Sequence, residues 1–136
     1  FIMKNSALNY SPSKSREKVL QTLYEMEIGG KELNEILIKN SSKKSNSFYL
    51  QMLNGVVEDK ERIDQILTKY IDRPKEKLDP IERNALRIAI YEFLNKKIDK
   101  AVAINEAIRI SKKYGTSDGY KLVNAVLDNL FNSEKI

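Results

Sequence analysis

The stretch Leu78-Asp79-Pro80-Ile81-Glu82-Arg83-Asn84-Ala85-Leu86-Arg87-Ile88-Ala89-Ile90-Tyr91-Glu92-Phe93-Leu94 decides how this chain is read. It opens on a helix start. Asp79 offers a side-chain oxygen to the orphan amides of a first turn, and Pro80 fits the first helical position, where its missing N–H would go unpaired anyway. Glu82 stands three residues after the cap, the spacing of a capping box. Beyond it, Ala85, Leu86, Ile88, Ala89, Ile90 and Phe93 leave almost no polar face. A helix that is apolar on nearly every side belongs at the buried centre of a bundle. Arg87 stands inside that run, and a buried cation needs a partner. Two readings follow: a structural ion pair with a carboxylate, or a cation at the rim of a ligand groove.

Upstream, Ser11-Pro12 predicts another capped start, followed by Val19, Leu20, Leu23 and Tyr24 at helical spacing and a stop at Gly29-Gly30. A short helix carries Leu33, Ile36 and Leu37 and runs out in the polar tract 39–46. Ser47 then caps a long apolar pattern of Phe48, Tyr49, Met52, Leu53, Val56 and Val57, which resumes at Ile63, Ile66, Leu67 and Tyr70. Glu58-Asp59-Lys60-Glu61-Arg62 interrupts it, so a bend is expected there, as the join between helical halves 11–58 and 59–132. Pro74 is expected to end this run. Downstream, one helix spans roughly Ala101 to Tyr114 and stops at Gly115. Ser117 opens the last, with Val123, Val126, Leu127, Leu130 and Phe131 on its apolar face. No segment alternates with period two. The expectation is an all-α single domain of six or seven helices in two packed bundles, with residues 1–10 frayed. The opening Phe1-Ile2 precedes a Met3 that reads as the natural start.

The 136 residues, 41% hydrophobic and 32% charged, suit one globular domain able to bury its own core. There is no histidine and no cysteine, which excludes imidazole bases, thiol nucleophiles, disulfides and cysteine–histidine zinc sites. No phosphate-binding glycine motif and no nucleophile elbow occurs. Carboxylates such as Glu58-Asp59 or Glu25 and Glu27 point in different directions on a helix and read as solvated charge. No enzyme activity, cofactor or metal is therefore expected. No apolar run approaches the roughly 18–20 residues of a membrane span. The net charge of +5 is mild. Its distribution is more telling: Lys14, Arg16 and Lys18 crowd the first helix start, and Lys112, Lys113 and Lys121 flank the turn Tyr114-Gly115-Thr116-Ser117, with Tyr120 close by. Cations beside aromatics can hold phosphates and stack splayed bases. Lysines near a helix C-terminus are equally an ordinary dipole feature.

Four ordered blocks carry a family resemblance. They are Arg16-Glu17 with Leu20-Gln21-Thr22-Leu23-Tyr24 and Glu27; Leu78 to Glu92; Ala103-Ile104-Asn105-Glu106-Ala107 with Lys112-Lys113-Tyr114-Gly115; and Leu122-Val123-Asn124-Ala125-Val126-Leu127-Asp128. From about Arg16 to Leu130 the chain resembles the NusB family. The resemblance implies an all-helical, non-catalytic transcription antitermination factor without cofactor. Such a factor binds single-stranded boxA-type RNA together with NusE, a small-subunit ribosomal protein, and joins other Nus factors on RNA polymerase to support ribosomal RNA transcription. It implies an RNA surface at Lys14, Arg16, Tyr70, Arg73, Arg87, Tyr114, Thr116, Asp118, Lys121 and Leu122. It also implies a partner-protein face that includes Tyr24 and Glu82, although a carboxylate at a helix start is a capping feature as well.

The chain departs from the family in two places. Pro12-Ser13-Lys14-Ser15-Arg16 stands where members carry a dense arginine cluster, so charge is kept but much of the planar, bidentate guanidinium chemistry is lost. Leu122 and Ala125 stand in a block that usually reads F-V-N-G, which removes an aromatic stacking contact. Two rivals remain at this level: an RNA-recognition domain serving a ribosomal RNA methyltransferase, and a helical protein-interaction module that binds no RNA. The resemblance implies the bacterial cytoplasm, or a plastid of bacterial descent, as the location, and the lysine-, asparagine- and isoleucine-rich usage points to an AT-rich genome.

Overall fold

A computed structural model describes residues 11–41, 47–95 and 98–134. Seven α-helices and one short 3-10 turn make up the described residues: α1 Pro12–Gly29, α2 Leu33–Ser41, α3 Ser47–Glu58, α4 Lys60–Thr68, the 3-10 turn Lys75–Lys77, α5 Pro80–Leu94, α6 Lys100–Tyr114 and α7 Gly119–Ser133. The all-helical expectation holds. The frayed segment 1–10 and most of the expected polar loop, 42–46, lie outside the described residues, while 39–41 continue α2.

The chain divides into two compact units, 1–54 and 55–136. In the first, the Ser11 hydroxyl accepts from the Lys14 amide to cap α1, and Gly30 ends it at φ 68°, a left-handed conformation that costs glycine little. Among the described residues of this unit, Val19, Leu20, Leu23, Ile36, Tyr49, Met52 and Leu53 are buried apolar side chains. A hydrogen bond of 2.8 Å between the hydroxyls of Thr22 and Tyr49 ties α1 to α3.

In the second unit α5 is the buried centre, as its composition predicts, with Ala85, Leu86, Ile88, Ala89, Ile90, Tyr91 and Leu94 all buried. Helices α4, α6 and α7 pack on it, and α6 and α7 pack on each other. The second unit begins at Gly55, within α3, and the reason is local. Gly55 lacks a side chain where the Tyr91 ring approaches, so that a Cβ there would lie 2.2 Å from a ring carbon, and the last turn of α3 thereby joins α5. The expected break near Glu58 is present as well: Asp59 leaves helical geometry between α3 and α4. Helix α4 ends earlier than Pro74. The Lys69 amide donates to Ile66 and the Tyr70 amide to Leu67, tightening the last turn, and the 3-10 turn follows Pro74.

Candidate nucleic-acid interface

Helix α6 ends in Lys112-Lys113-Tyr114, and Gly115 follows in extended backbone, its amide donating to Ser111 O. Asp118 occupies the N-cap of α7 without capping it. Its carboxylate is 80% exposed and lies 3.4 Å from the exposed Lys121 ammonium. An exposed ion pair of this kind contributes roughly 0–1 kcal/mol, so it opens readily to another ligand. Lys112 Nζ lies 4.6 Å from the Tyr120 ring centroid, and Lys113 Nζ lies 5.4 Å from that of Tyr114. Two half-exposed aromatic rings, each carrying an ammonium, thus flank an exposed turn whose carboxylate is acceptor-only. Chemically, such a set can stack bases, neutralise phosphates and accept from a base amino group.

The turn is held from beneath. Glu82 Oε2 accepts from the Thr116 amide and from the Thr116 hydroxyl, both at 2.9 Å. Helix α7 begins at Gly119 rather than near Ser117, with the Thr116 amide held by Glu82 ahead of it. Glu82 itself is buried. Asp79 caps α5 as its sequence predicts, accepting from the Ile81 and Glu82 amides at 3.0 and 3.3 Å, but the Glu82 carboxylate faces Thr116.

The other expected site residues are spread over both units. Lys14 and Arg16 belong to the first. Lys14 is exposed, whereas Arg16 is buried with its guanidinium 5.8 Å from the Phe48 ring centroid. Tyr24 is 39% exposed, and Ile28, one turn on, 60%. In the second unit, Tyr114, Thr116, Asp118, Lys121 and Leu122 come together at the α6–α7 turn. Arg87 does not join them. Its Nε and Nη2 donate to both carboxylate oxygens of buried Asp64, at 2.8 and 3.0 Å, and its Nη1 donates to Asn84 at 3.0 Å. Of the two readings open at the sequence level, the ion pair is what the fold contains. Arg73 is exposed and paired with Asp72 at 2.8 Å, which raises the guanidinium pKa and lowers that of the carboxyl.

Tyr70 gives its hydroxyl to Glu134 Oε2 at 2.7 Å, and Lys69 reaches the same oxygen at 3.1 Å. These donors hold the Glu134 carboxyl below its ordinary range, and the hydrogen bond to that carboxylate pushes the Tyr70 phenol up. A depressed carboxyl stabilises the fold above its unfolded pKa, and that contribution is lost as pH falls through the folded value. Wild type should therefore melt above Glu134→Gln at neutral pH, with the gap closing below about pH 4. A gap that stays constant down to pH 2 would remove this carboxylate from the balance.

Sequence reasoning did not find the Glu82–Thr116 clasp, the Asp64 partner of Arg87 or the Glu134 partner of Tyr70, because each joins residues far apart in the chain. One signal was available for the clasp: Gly119 directly after Asp118, at a position where a helix start does not require glycine.

Among the described residues, no helix is long and apolar enough to cross a membrane. Comparison with known proteins agrees with the geometry. The family model described as "NusB family" matches residues 13–132. The transcription antitermination protein NusB of Shewanella pealeana is 31% identical over 128 residues, covering 90% of this chain and 95% of the relative. A solved NusB of T. maritima superposes with a TM-score of 0.81 at 28% identity, covering 93% of this chain and 94% of that one. A structure of the antitermination factors NusB and NusE in complex with double-stranded RNA matches with a TM-score of 0.77 at 22% identity over 90% of this chain and 96% of its counterpart, and so shares the fold. The chain belongs to the NusB family.

Proposed function

We propose that this chain is a non-catalytic, cytoplasmic RNA-binding factor of transcription antitermination, acting on boxA-type RNA together with a NusE-type ribosomal protein in a larger complex on RNA polymerase. Membership of a family whose curated relatives are antitermination proteins supports the reading. The observation that carries RNA binding is the α6–α7 turn, where Tyr114 and Tyr120 with their ammonium neighbours surround the exposed Asp118 and Lys121. Lys14 adds an exposed cation in the first unit. Arg16, Arg87 and Tyr70 support the fold through Phe48, Asp64 and Glu134, so their removal acts on RNA through stability. The partner surface is assigned to the exposed Tyr24–Ile28 stripe of α1, an aromatic anchor beside an aliphatic one.

The test is RNA binding by the purified chain, with and without the ribosomal partner, at several salt concentrations. Binding should be weak alone, tighter with the partner, and weaker as salt rises, because phosphate neutralisation releases counterions. Single-stranded boxA-type RNA should exceed a duplex of equal length, since base edges must be reachable. Equal affinity for an unrelated duplex would contradict the reading, and no RNA binding under any condition would leave a protein-interaction module. Tyr24→Ala should weaken partner binding about tenfold or more, as loss of a buried aromatic anchor does, with unchanged helical circular dichroism. An unaltered Kd would move the partner surface elsewhere.

A further inference from the structure

The Asp79-Pro80-Ile81-Glu82 start leads one to expect a Glu82 side chain that turns back on its own helix. Instead it crosses to the α6–α7 turn. The carboxylate is 4% exposed and accepts two hydrogen bonds from one residue, Thr116. Two glycines make room for it. A Cβ on Gly119, the first residue of α7, would lie 1.9 Å from Oε2 and 2.0 Å from Cδ, and a Cβ on Gly115 would lie 2.6 Å from Oε2 and 2.7 Å from Ser111 O. Any larger residue at 119 must displace the carboxylate. A buried carboxylate is costly unless its oxygens are bonded, and here a backbone amide, a hydroxyl and the positive ends of α5 and α7 meet that need. The exchange is reciprocal: the carboxylate fixes Thr116 through both its amide and its hydroxyl.

Resting on the RNA-binding reading above, we propose that Glu82 is the positioning residue of the RNA-reading turn. By holding Thr116 it fixes the direction in which Asp118, Tyr120 and Lys121 leave the start of α7. Discrimination between RNA sequences then depends on a carboxylate that touches no RNA. Base readout needs fixed geometry, whereas phosphate contacts tolerate motion. Loosening the turn should therefore cost sequence preference and spare general affinity.

The experiment measures the ratio of affinities for boxA-type RNA and a scrambled RNA of equal length, beside partner affinity and thermal melting, for wild type, Glu82→Ala, Glu82→Gln and Gly119→Ala. Glu82→Ala and Gly119→Ala should lower the ratio about tenfold, the size of one lost base contact, with scrambled-RNA affinity moving less than about threefold. Glu82→Gln keeps an oxygen that can accept both Thr116 bonds and should hold the ratio within about twofold. Partner affinity should stay within about twofold throughout. A folded Glu82→Ala with an unchanged ratio overturns the proposal, and a change in partner affinity alone would make Glu82 an interface residue instead. If Glu82→Ala does not fold, Gly119→Ala, which displaces the carboxylate without removing an RNA-facing group, carries the same test: a lowered ratio supports the proposal and an unchanged one overturns it. A wild type that shows no preference between the two RNAs overturns the functional reading and this inference with it. A wild-type preference retained in the variants overturns this inference alone.

Discussion

Replacing Arg87 by leucine is expected to remove about 3–5 kcal/mol of stability, the usual cost of stranding one member of a buried ion pair. The pair is bidentate, and both partners are buried. Asn84 takes a further guanidinium proton at 3.0 Å and is itself anchored to Pro80 O at 2.9 Å. Without Arg87, the Asp64 carboxylate keeps the half-exposed Lys75 at 3.5 Å. That second cation should hold the loss toward the lower end of the range. Adding Asp64→Leu to Arg87→Leu should recover a large part of the loss, because no unpaired charge then remains. Urea denaturation of the two variants and wild type is the measurement. If Arg87→Leu unfolds at the wild-type midpoint yet loses RNA affinity, Arg87 is a groove cation and the ion pair is incidental.

Gly55→Ala should also destabilise, against what helix propensity says. Alanine at an interior helical position gains about 1 kcal/mol over glycine. Here its Cβ would meet three atoms of the Tyr91 ring end at 2.2, 2.4 and 2.5 Å. Tyr91 is 5% exposed, and its ring must move as a rigid block. Overpacking costs about 1–3 kcal/mol and, at contacts this short, should exceed the propensity gain. The net loss should be roughly 1–2 kcal/mol, a fall of several degrees in Tm for a chain of this size. In a Tyr91→Leu background the same substitution should be neutral or stabilising. A Gly55→Ala protein that melts above wild type would mean the close approach is not what keeps glycine there.

The parts of the fold written in local order were legible in the sequence. Asp79-Pro80 starts α5, Ser11-Pro12 starts α1, and Gly30 stops it, because capping and left-handed backbone depend on neighbours a few residues away. The centrality of α5 was legible from composition, since a helix without a polar face has to be enclosed. What was not legible is which charge meets which. Asp64 looks like any solvated acid beside Glu61 and Arg62, and only the packing of α4 on α5 brings it to Arg87. Glu82 satisfied a capping pattern that the fold does not use. Its true partner, Thr116, is 34 residues away, and the void at Gly119 that admits the carboxylate exists only once α5 and α7 pack. Arg16 looked like a phosphate contact because it stands near a helix start, yet its side chain lies buried by Phe48. Among the candidate residues, Lys14, Tyr24, Thr116, Asp118 and Lys121 stay exposed.

On the proposed function, RNA is read at the α6–α7 turn and merely held elsewhere. The most direct measurement is a salt titration of Asp118→Asn and Lys14→Ala, each on boxA-type and scrambled RNA. Lys14→Ala should weaken both complexes about equally and flatten the salt slope by about one, since it removes one phosphate cation. Asp118→Asn should change the ratio of the two affinities by about threefold or more, because it turns an acceptor-only group into one that both donates and accepts. Parallel shifts of both RNAs with Asp118→Asn would contradict the account, leaving the turn as a patch of charge rather than a site that reads bases.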